Sequence, residues 1–191
     1  MTAGTSSAGA SSSRKALRDN AFEVLRSAPP TPTRDAFERH LAAYDDALWR
    51  DGPPEHFTAS AVVFSADLTQ VLLVLHKKAR LWLQPGGHFE AGDRTVGGAA
   101  LREATEESGI HGLRAAPGAL FLHRHQLPAT FGRCTAHWDL RIAATAPEDA
   151  RISVSEESDD VRWWPIDALP QPTDPELADC IGDLRAGLVR V

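Results

Sequence analysis

Apolar residues recur at helical spacing in the first quarter of the chain. Leu17, Ala21, Val24 and Ala28 share one face and predict an amphipathic helix that Pro29-Pro30 ends. Phe37, Leu41, Tyr44 and Leu48 predict a second helix, closed before Gly52-Pro53-Pro54. From Phe57 the pattern changes to short apolar runs. Residues 61–64 and 71–75 flank Ser65-Ala66-Asp67 and read as a hairpin, and Trp82-Leu83-Gln84-Pro85 leads into a Gly86-Gly87 turn. Further strands are expected over residues 120–127, 135–144, 151–153 and 161–164. Asp174-Pro175 then opens a last helix with Leu177, Ile181, Leu184 and Leu188 on one stripe and Asp174 as its cap. Residues 1–13, rich in Ser, Ala, Gly and Thr, have little to bury and are expected to form a disordered tail. The organisation expected is a tail over 1–13, a helical extension over 14–54, a main domain over 55–170 and a C-terminal helix packed on it over 171–191. Strands mixed with a few helices make this an α+β protein or an α/β/α sandwich.

Between the Gly pair and Ile110 lies the chemistry. In Arg102-Glu103-Ala104-Thr105-Glu106-Glu107-Ser108-Gly109, each helical residue advances about 100°, so Glu103, Glu106 and Glu107 share one face. Like charges at these spacings destabilise a bare helix by roughly 0.2–0.5 kcal/mol per pair. A cation among them removes that cost, and hard oxygen donors select Mg²⁺, Mn²⁺ or Ca²⁺. The bland alternative is a solvated acidic face. Thr95 stands where an N-cap is needed and Gly109 where a left-handed residue ends a helix. Gly97, Gly98, Leu101, Ala104, Thr105 and Ser108 occupy the face opposite the acids, and the glycines either allow close approach or lie in a frayed first turn.

These residues resemble the Nudix hydrolase family. The motif of that family is a Gly followed by an acid, then an Arg-Glu pair, an aliphatic position, a Glu-Glu pair and a closing Gly-aliphatic. Here they fall on Gly87, Arg102-Glu103, Ala104, Glu106-Glu107 and Gly109-Ile110. Fourteen residues separate Gly87 from Arg102, one more than the family spacing, and Thr95 places the extra residue in the loop Gly92-Asp93-Arg94. The first acid of the motif therefore becomes Asp93, one methylene shorter and displaced. The resemblance spans residues 57–169 and implies a mixed sheet between helices. It also implies a Mg²⁺-dependent hydrolase, with Mn²⁺ able to substitute, that splits a diphosphate linkage in a nucleoside-diphosphate-type substrate.

Under that reading Glu103, Glu106 and Glu107 are the metal ligands, with the Gly87 carbonyl and Glu90 as further candidates. Arg102 holds the Glu106 carboxylate by pairing four residues along the helix. Glu106 and Glu157 are candidates for the catalytic carboxylate, Glu157 and Glu156 lying in the acidic loop 155–160. His88, Lys78 and Arg80 are positioned in sequence to meet phosphate oxygens. His123 and His125 alternate along one strand and His137 follows in another. No second acid or Cys completes a known zinc spacing, so they read as substrate contacts or half-buried histidines. Trp82, Trp138, Trp163 and Trp164 read as core aromatics before base-stacking platforms.

Composition narrows the partners. Twenty basic against twenty-six acidic residues give a net charge of −6, which argues against wrapping duplex nucleic acid. A small phosphate substrate carried with a divalent ion stays compatible. No apolar run is long enough to span a membrane and the start lacks a hydrophobic leader, so a soluble cytoplasmic protein is expected. Cys134 and Cys180 are too few for a disulfide framework and read as small buried side chains. The helical pair can pack on the domain, form a homodimer contact or roof the active site. Two rivals remain: a fold-sharing isopentenyl-diphosphate isomerase, which needs a Cys ahead of the motif where this chain has none, and a Nudix-like binding module that senses a nucleotide without turnover.

Overall fold

The computed structural model describes residues 6–154 and 158–189, with backbone only at residues 6–11 and 131. Its helices are α1 (Ser6–Ser27), α2 (Pro32–Ala43), α3 (Val96–Ser108) and α4 (Leu177–Val189). Its strands are β1 (Glu55–Phe64), β2 (Gln70–His76), β3 (Trp82–Leu83), β4 (Gly86–Gly87), β5 (Arg114–Gln126), β6 (Ala136–Thr145) and β7 (Ser158–Pro165). The seven strands form one sheet in the order β3-β2-β1-β6-β5, with β4 pairing β1 and β7 pairing β2. Among the described residues no helix is long and apolar enough to cross a membrane.

Several expectations shift. Helix α1 starts at Ser6, so the tail expected over 1–13 is helical from residue 6, and residues 1–5 lie outside the described residues. Ala favours a helix and Ser opposes one only weakly, so a helix anchored by the buried Leu17, Ala21 and Leu25 propagates back through them. Helix α2 is opened by Thr31, whose hydroxyl accepts from the Arg34 N–H at 3.1 Å, with Pro32 in the first turn. It ends at Ala43, short of the expected limit. Leu48 keeps its burial from a turn, where the Trp49 N–H donates to the Asp46 carbonyl at 2.9 Å. No strand forms over 151–153. Gly86-Gly87, expected as a turn, is strand β4, and the Ala61 N–H donates to the Pro85 carbonyl at 3.0 Å beside it.

The chain divides into two compact units, the first comprising residues 1–59, 88–99 and 122–140, the second residues 60–87, 100–121 and 141–191. Strands β1, β5 and β6 and helix α3 each pass from one unit into the other along the chain. The helices of residues 14–54 therefore share a compact unit with the start of β1. Within the first unit Phe37 of α2 meets Trp138 edge-on at 4.9 Å, and His40 stacks on Trp138 at 4.5 Å. Arg124 and the Trp138 indole N–H both donate to the Glu55 carboxylate, at 2.9 and 3.1 Å. Trp138 is thus half-buried, packed on α2.

In the second unit β1 and β2 form the expected hairpin, pairing Val63 with Leu72 and Phe64 with Val71. Asp67 closes the turn by accepting from Ser65 Oγ, Thr69 N and Thr69 Oγ1. Residues Val71 to Val74 are all buried, so both faces of β2 are covered although side chains alternate. Val62, Phe64, Val71, Leu73 and Trp82 form one core cluster with Leu177, Cys180, Ile181 and Leu184 of α4. Asp174 caps the lead-in to α4, accepting from the Glu176 N–H at 3.0 Å. Its other carboxylate oxygen pairs with the buried Arg141 of β6 at 2.8 Å.

Candidate active site

Helix α3 is built to carry its acids. Thr95 Oγ1 accepts from the Gly98 N–H at 3.0 Å, which fixes the first turn. A Cβ at Gly98 would sit 2.9 Å from that oxygen, so this glycine makes room for the cap. At the other end Gly109 adopts φ +69°, and its N–H donates to the Thr105 carbonyl at 2.8 Å. The buried face of α3 is Val96, Ala99, Ala100, Ala104, Glu107 and Ser108. Gly98, expected either to allow close approach or to lie in the first turn, is exposed in the first turn.

The acids are held by separate contacts within the second unit. Arg102 Nη1 donates to Glu103 Oε1 at 3.0 Å and to Glu106 Oε2 at 2.9 Å, tying two carboxylates to one guanidinium. Glu103 packs its carboxylate over Gly87: a Cβ there would lie 2.7 Å from its Cδ and both oxygens. Gly87 is required for that space and not for a left-handed backbone. Glu107 is 7% exposed and accepts from the Gly86 N–H at 3.2 Å. Glu106 turns outward, its side chain 56% exposed. The result is one carboxylate against a glycine, one on a backbone N–H and one facing solvent, all from a single helix.

A family model described as the NUDIX domain matches residues 54–184. The chain belongs to the Nudix family. Among solved structures, this Nudix chain is similar to the Ap4A hydrolase of C. elegans in a binary complex, at 19% identity and a TM-score of 0.59 over 71% of this chain and 98% of that one. It is likewise similar to the dihydroneopterin triphosphate pyrophosphohydrolase of E. coli, at 19% identity and 0.54 over 65% and 91%. A third is the NUDIX domain of Shewanella oneidensis NrtR complexed with ADP ribose, at 23% identity and 0.50 over 79% and 97%. Among curated proteins none matches. These likenesses give the expected fold class, the α+β Nudix sandwich with a mixed sheet, and the family makes the chain a Nudix pyrophosphohydrolase. The matched region runs past residue 170, the expected limit of the domain, and takes in the part of α4 that packs into the core.

Other expected site residues of this Nudix chain are placed differently. Arg80 (φ +56°) donates to Asp159 at 2.5 Å, while Lys78 is exposed. Glu90, His88 and Asp93 belong to the first unit. Glu90 is exposed. The Glu90 N–H donates to Asp93 Oδ2 at 2.7 Å, and the Asp93 N–H returns to the Glu90 carbonyl at 3.0 Å. Asp93, 8% exposed, thus closes the loop that carries the extra residue. His88 faces His56, Nε2 to Nε2, at 3.1 Å. Burial, with the charges of His56 and Arg50, pulls its pKa down to about 4, so near neutral pH it meets a phosphate only as a neutral imidazole. Glu156 and Glu157 lie outside the described residues. His56 and Cys134 were not marked by any spacing in the sequence, since seventy-eight positions separate them.

Proposed function

We propose that this Nudix enzyme is a Mg²⁺-dependent hydrolase, with Mn²⁺ able to substitute, of a diphosphate linkage in a nucleoside-diphosphate-type substrate. The observation that carries the reading is the Arg102-bridged pair Glu103–Glu106 beside Glu107 on Gly86 and Glu103 on Gly87. The donor set fits a hard divalent ion: three carboxylates, with the Gly87 carbonyl as a further oxygen donor, and no sulfur or imidazole among them. Glu103, Glu106, Glu107 and the Gly87 carbonyl would hold it. Bound there, the ion supplies charge neutralisation for the phosphate oxygens.

The remaining roles fall to the chain's own groups. Arg102 keeps two carboxylates in fixed rotamers, so that their arrangement precedes substrate arrival. Lys78 takes phosphate oxygens from its exposed position, and Arg80 exchanges Asp159 for the same purpose. Glu157 accepts the proton of the attacking water. A nucleotide substrate gains support from the neighbours named for Ap4A and complexed with ADP ribose, since both compounds carry phosphoanhydrides.

The test is a panel of dinucleoside polyphosphates, nucleoside-diphosphate sugars and nucleoside triphosphates with Mg²⁺ or Mn²⁺. Phosphate release is followed with and without an added phosphatase, because products bearing terminal phosphate report only in its presence. Turnover on at least one class is expected. Tight nucleotide binding by calorimetry with no hydrolysis of any member would replace this reading with that of a nucleotide-sensing module.

A further inference from the structure

We propose that His56, Cys134 and His137 form a second metal site, which takes Zn²⁺. All three belong to the first unit, whereas the carboxylate triad belongs to the second. One ligand atom from each of the three lies within 4.8 Å of the others. His56 Nε2 stands 3.9 Å from Cys134 Sγ, and the His56 and His137 rings are 5.1 Å apart. Tetrahedral zinc with arms of about 2.0–2.3 Å sets its ligands roughly 3.4–3.6 Å apart, so the atoms need close by no more than about 1.4 Å.

The local structure presents these atoms for coordination. His56, fully buried at the start of β1, places Nδ1 3.1 Å from the Pro53 carbonyl. A carbonyl only accepts, so Nδ1 carries the proton and Nε2 the lone pair. That is the tautomer a metal needs, with the other nitrogen anchored by a backbone oxygen. Among the described residues His137 Nε2 is buried with no hydrogen-bond partner, an arrangement that costs stability unless something fills it. Cys134 is fastened beside them. The Thr135 N–H donates to the Pro54 carbonyl at 2.9 Å, and Arg133 donates to the Asp51 and Gly52 carbonyls at 3.2 and 2.5 Å.

A metal takes each imidazole in its neutral form and the cysteine as thiolate. Arg50 and Arg133 lie near enough to act on His56, and the negative thiolate offsets part of their opposition to a cation. The thiol gives up its proton to solvent as the ion arrives. Two imidazoles and one thiolate are a borderline-soft donor set that favours Zn²⁺ over Mg²⁺ or Ca²⁺. His88 borders the fourth position, its Nε2 being 3.1 Å from His56 Nε2.

The full chain, stripped with chelator, is titrated with Co²⁺ as a spectroscopic stand-in and then with Zn²⁺. Expected are one equivalent giving the near-ultraviolet band of thiolate bonded to cobalt and the strong visible bands of tetrahedral cobalt, both erased by Zn²⁺. Cys134→Ser should remove the thiolate band, and His137→Ala should weaken Zn²⁺ by roughly a hundredfold. Glu106→Gln should leave both unchanged. A wild-type titration without a thiolate band overturns the proposal whether or not the variants fold. Equal Zn²⁺ affinity in folded Cys134→Ser and wild type overturns it as well.

Discussion

Replacing Gly87 by Ala isolates the one contact that positions a carboxylate without adding or removing charge. The new Cβ would lie 2.7 Å from the Glu103 Cδ and both oxygens, where ordinary contact begins at 3.4 Å. The carboxylate must therefore retreat by about 0.7 Å, and a misplacement near 1 Å in a phosphoryl-transfer site costs on the order of a hundredfold in rate. We expect kcat to fall by roughly ten- to a hundredfold, or about 1.4–2.7 kcal/mol of barrier. Stability should not follow. Gly87 is not among the positive-φ glycines, so Ala fits its backbone, and fewer unfolded conformations favour the native state by about 0.4–1 kcal/mol. The assay pairs kcat at saturating Mg²⁺ with the Mn²⁺-induced rise in Tm. Gly92→Ala, with open space around its Cβ position, serves as control. A Gly87→Ala enzyme within about twofold of wild type in kcat, with its Mn²⁺ shift intact, would refute the placement of Glu103 as a ligand.

Three more outcomes follow from the same contacts. Asp93→Asn keeps an oxygen for the Glu90 N–H and should cost less activity than Glu106→Gln, whereas equal losses at saturating metal would return Asp93 to the metal cluster. Asp174→Ala removes the carboxylate that pairs with buried Arg141 at 2.8 Å and should lower stability by about 3 kcal/mol in urea unfolding, against which a loss under about 1 kcal/mol would count. In the chelator-stripped chain His88 and His137 have folded pKa values lowered, chiefly by burial, to about 4 and about 3. The unfolded state therefore takes up protons first: stability is full above about pH 6.5 and declines as pH falls toward 4, by roughly 2 kcal/mol per histidine at pH 5. A Tm that is flat between pH 7 and 5 would contradict this.

What was legible in the sequence was local. Thr95 as cap, Gly109 as the left-handed end, and Arg102 four residues before Glu106 are fixed by helix geometry alone, and each holds in three dimensions. The hairpin at Ser65-Ala66-Asp67 and the α4 stripe follow equally from short-range pattern. Long-range placement was not legible. Nothing near Gly87 in the chain says that a carboxylate sixteen residues later will lie against its Cα, although the motif position hinted that the residue matters. The same limit hid the His56–Cys134–His137 group, whose members come from separate strands and a loop, and the contact of Arg80 with Asp159 of β7. Helix α2 stopped early because a turn can bury Leu48 as well as a helix can, so apolar spacing there did not distinguish the two.

The account rests on Glu103, Glu106 and Glu107 acting as one metal-holding set in a pyrophosphohydrolase. The most direct test is kcat of Glu106→Gln against wild type at saturating Mg²⁺, on the best substrate of the panel, with apo Tm measured in parallel. Glu106 is the most exposed of the three, so its loss should spare the fold and even relieve a like-charge repulsion. The predicted result is a kcat lower by about two orders of magnitude, near 2.7 kcal/mol of barrier, with apo Tm unchanged or slightly raised. Wild-type kcat in Glu106→Gln would show the triad to be a solvated acidic face and place the chemistry elsewhere.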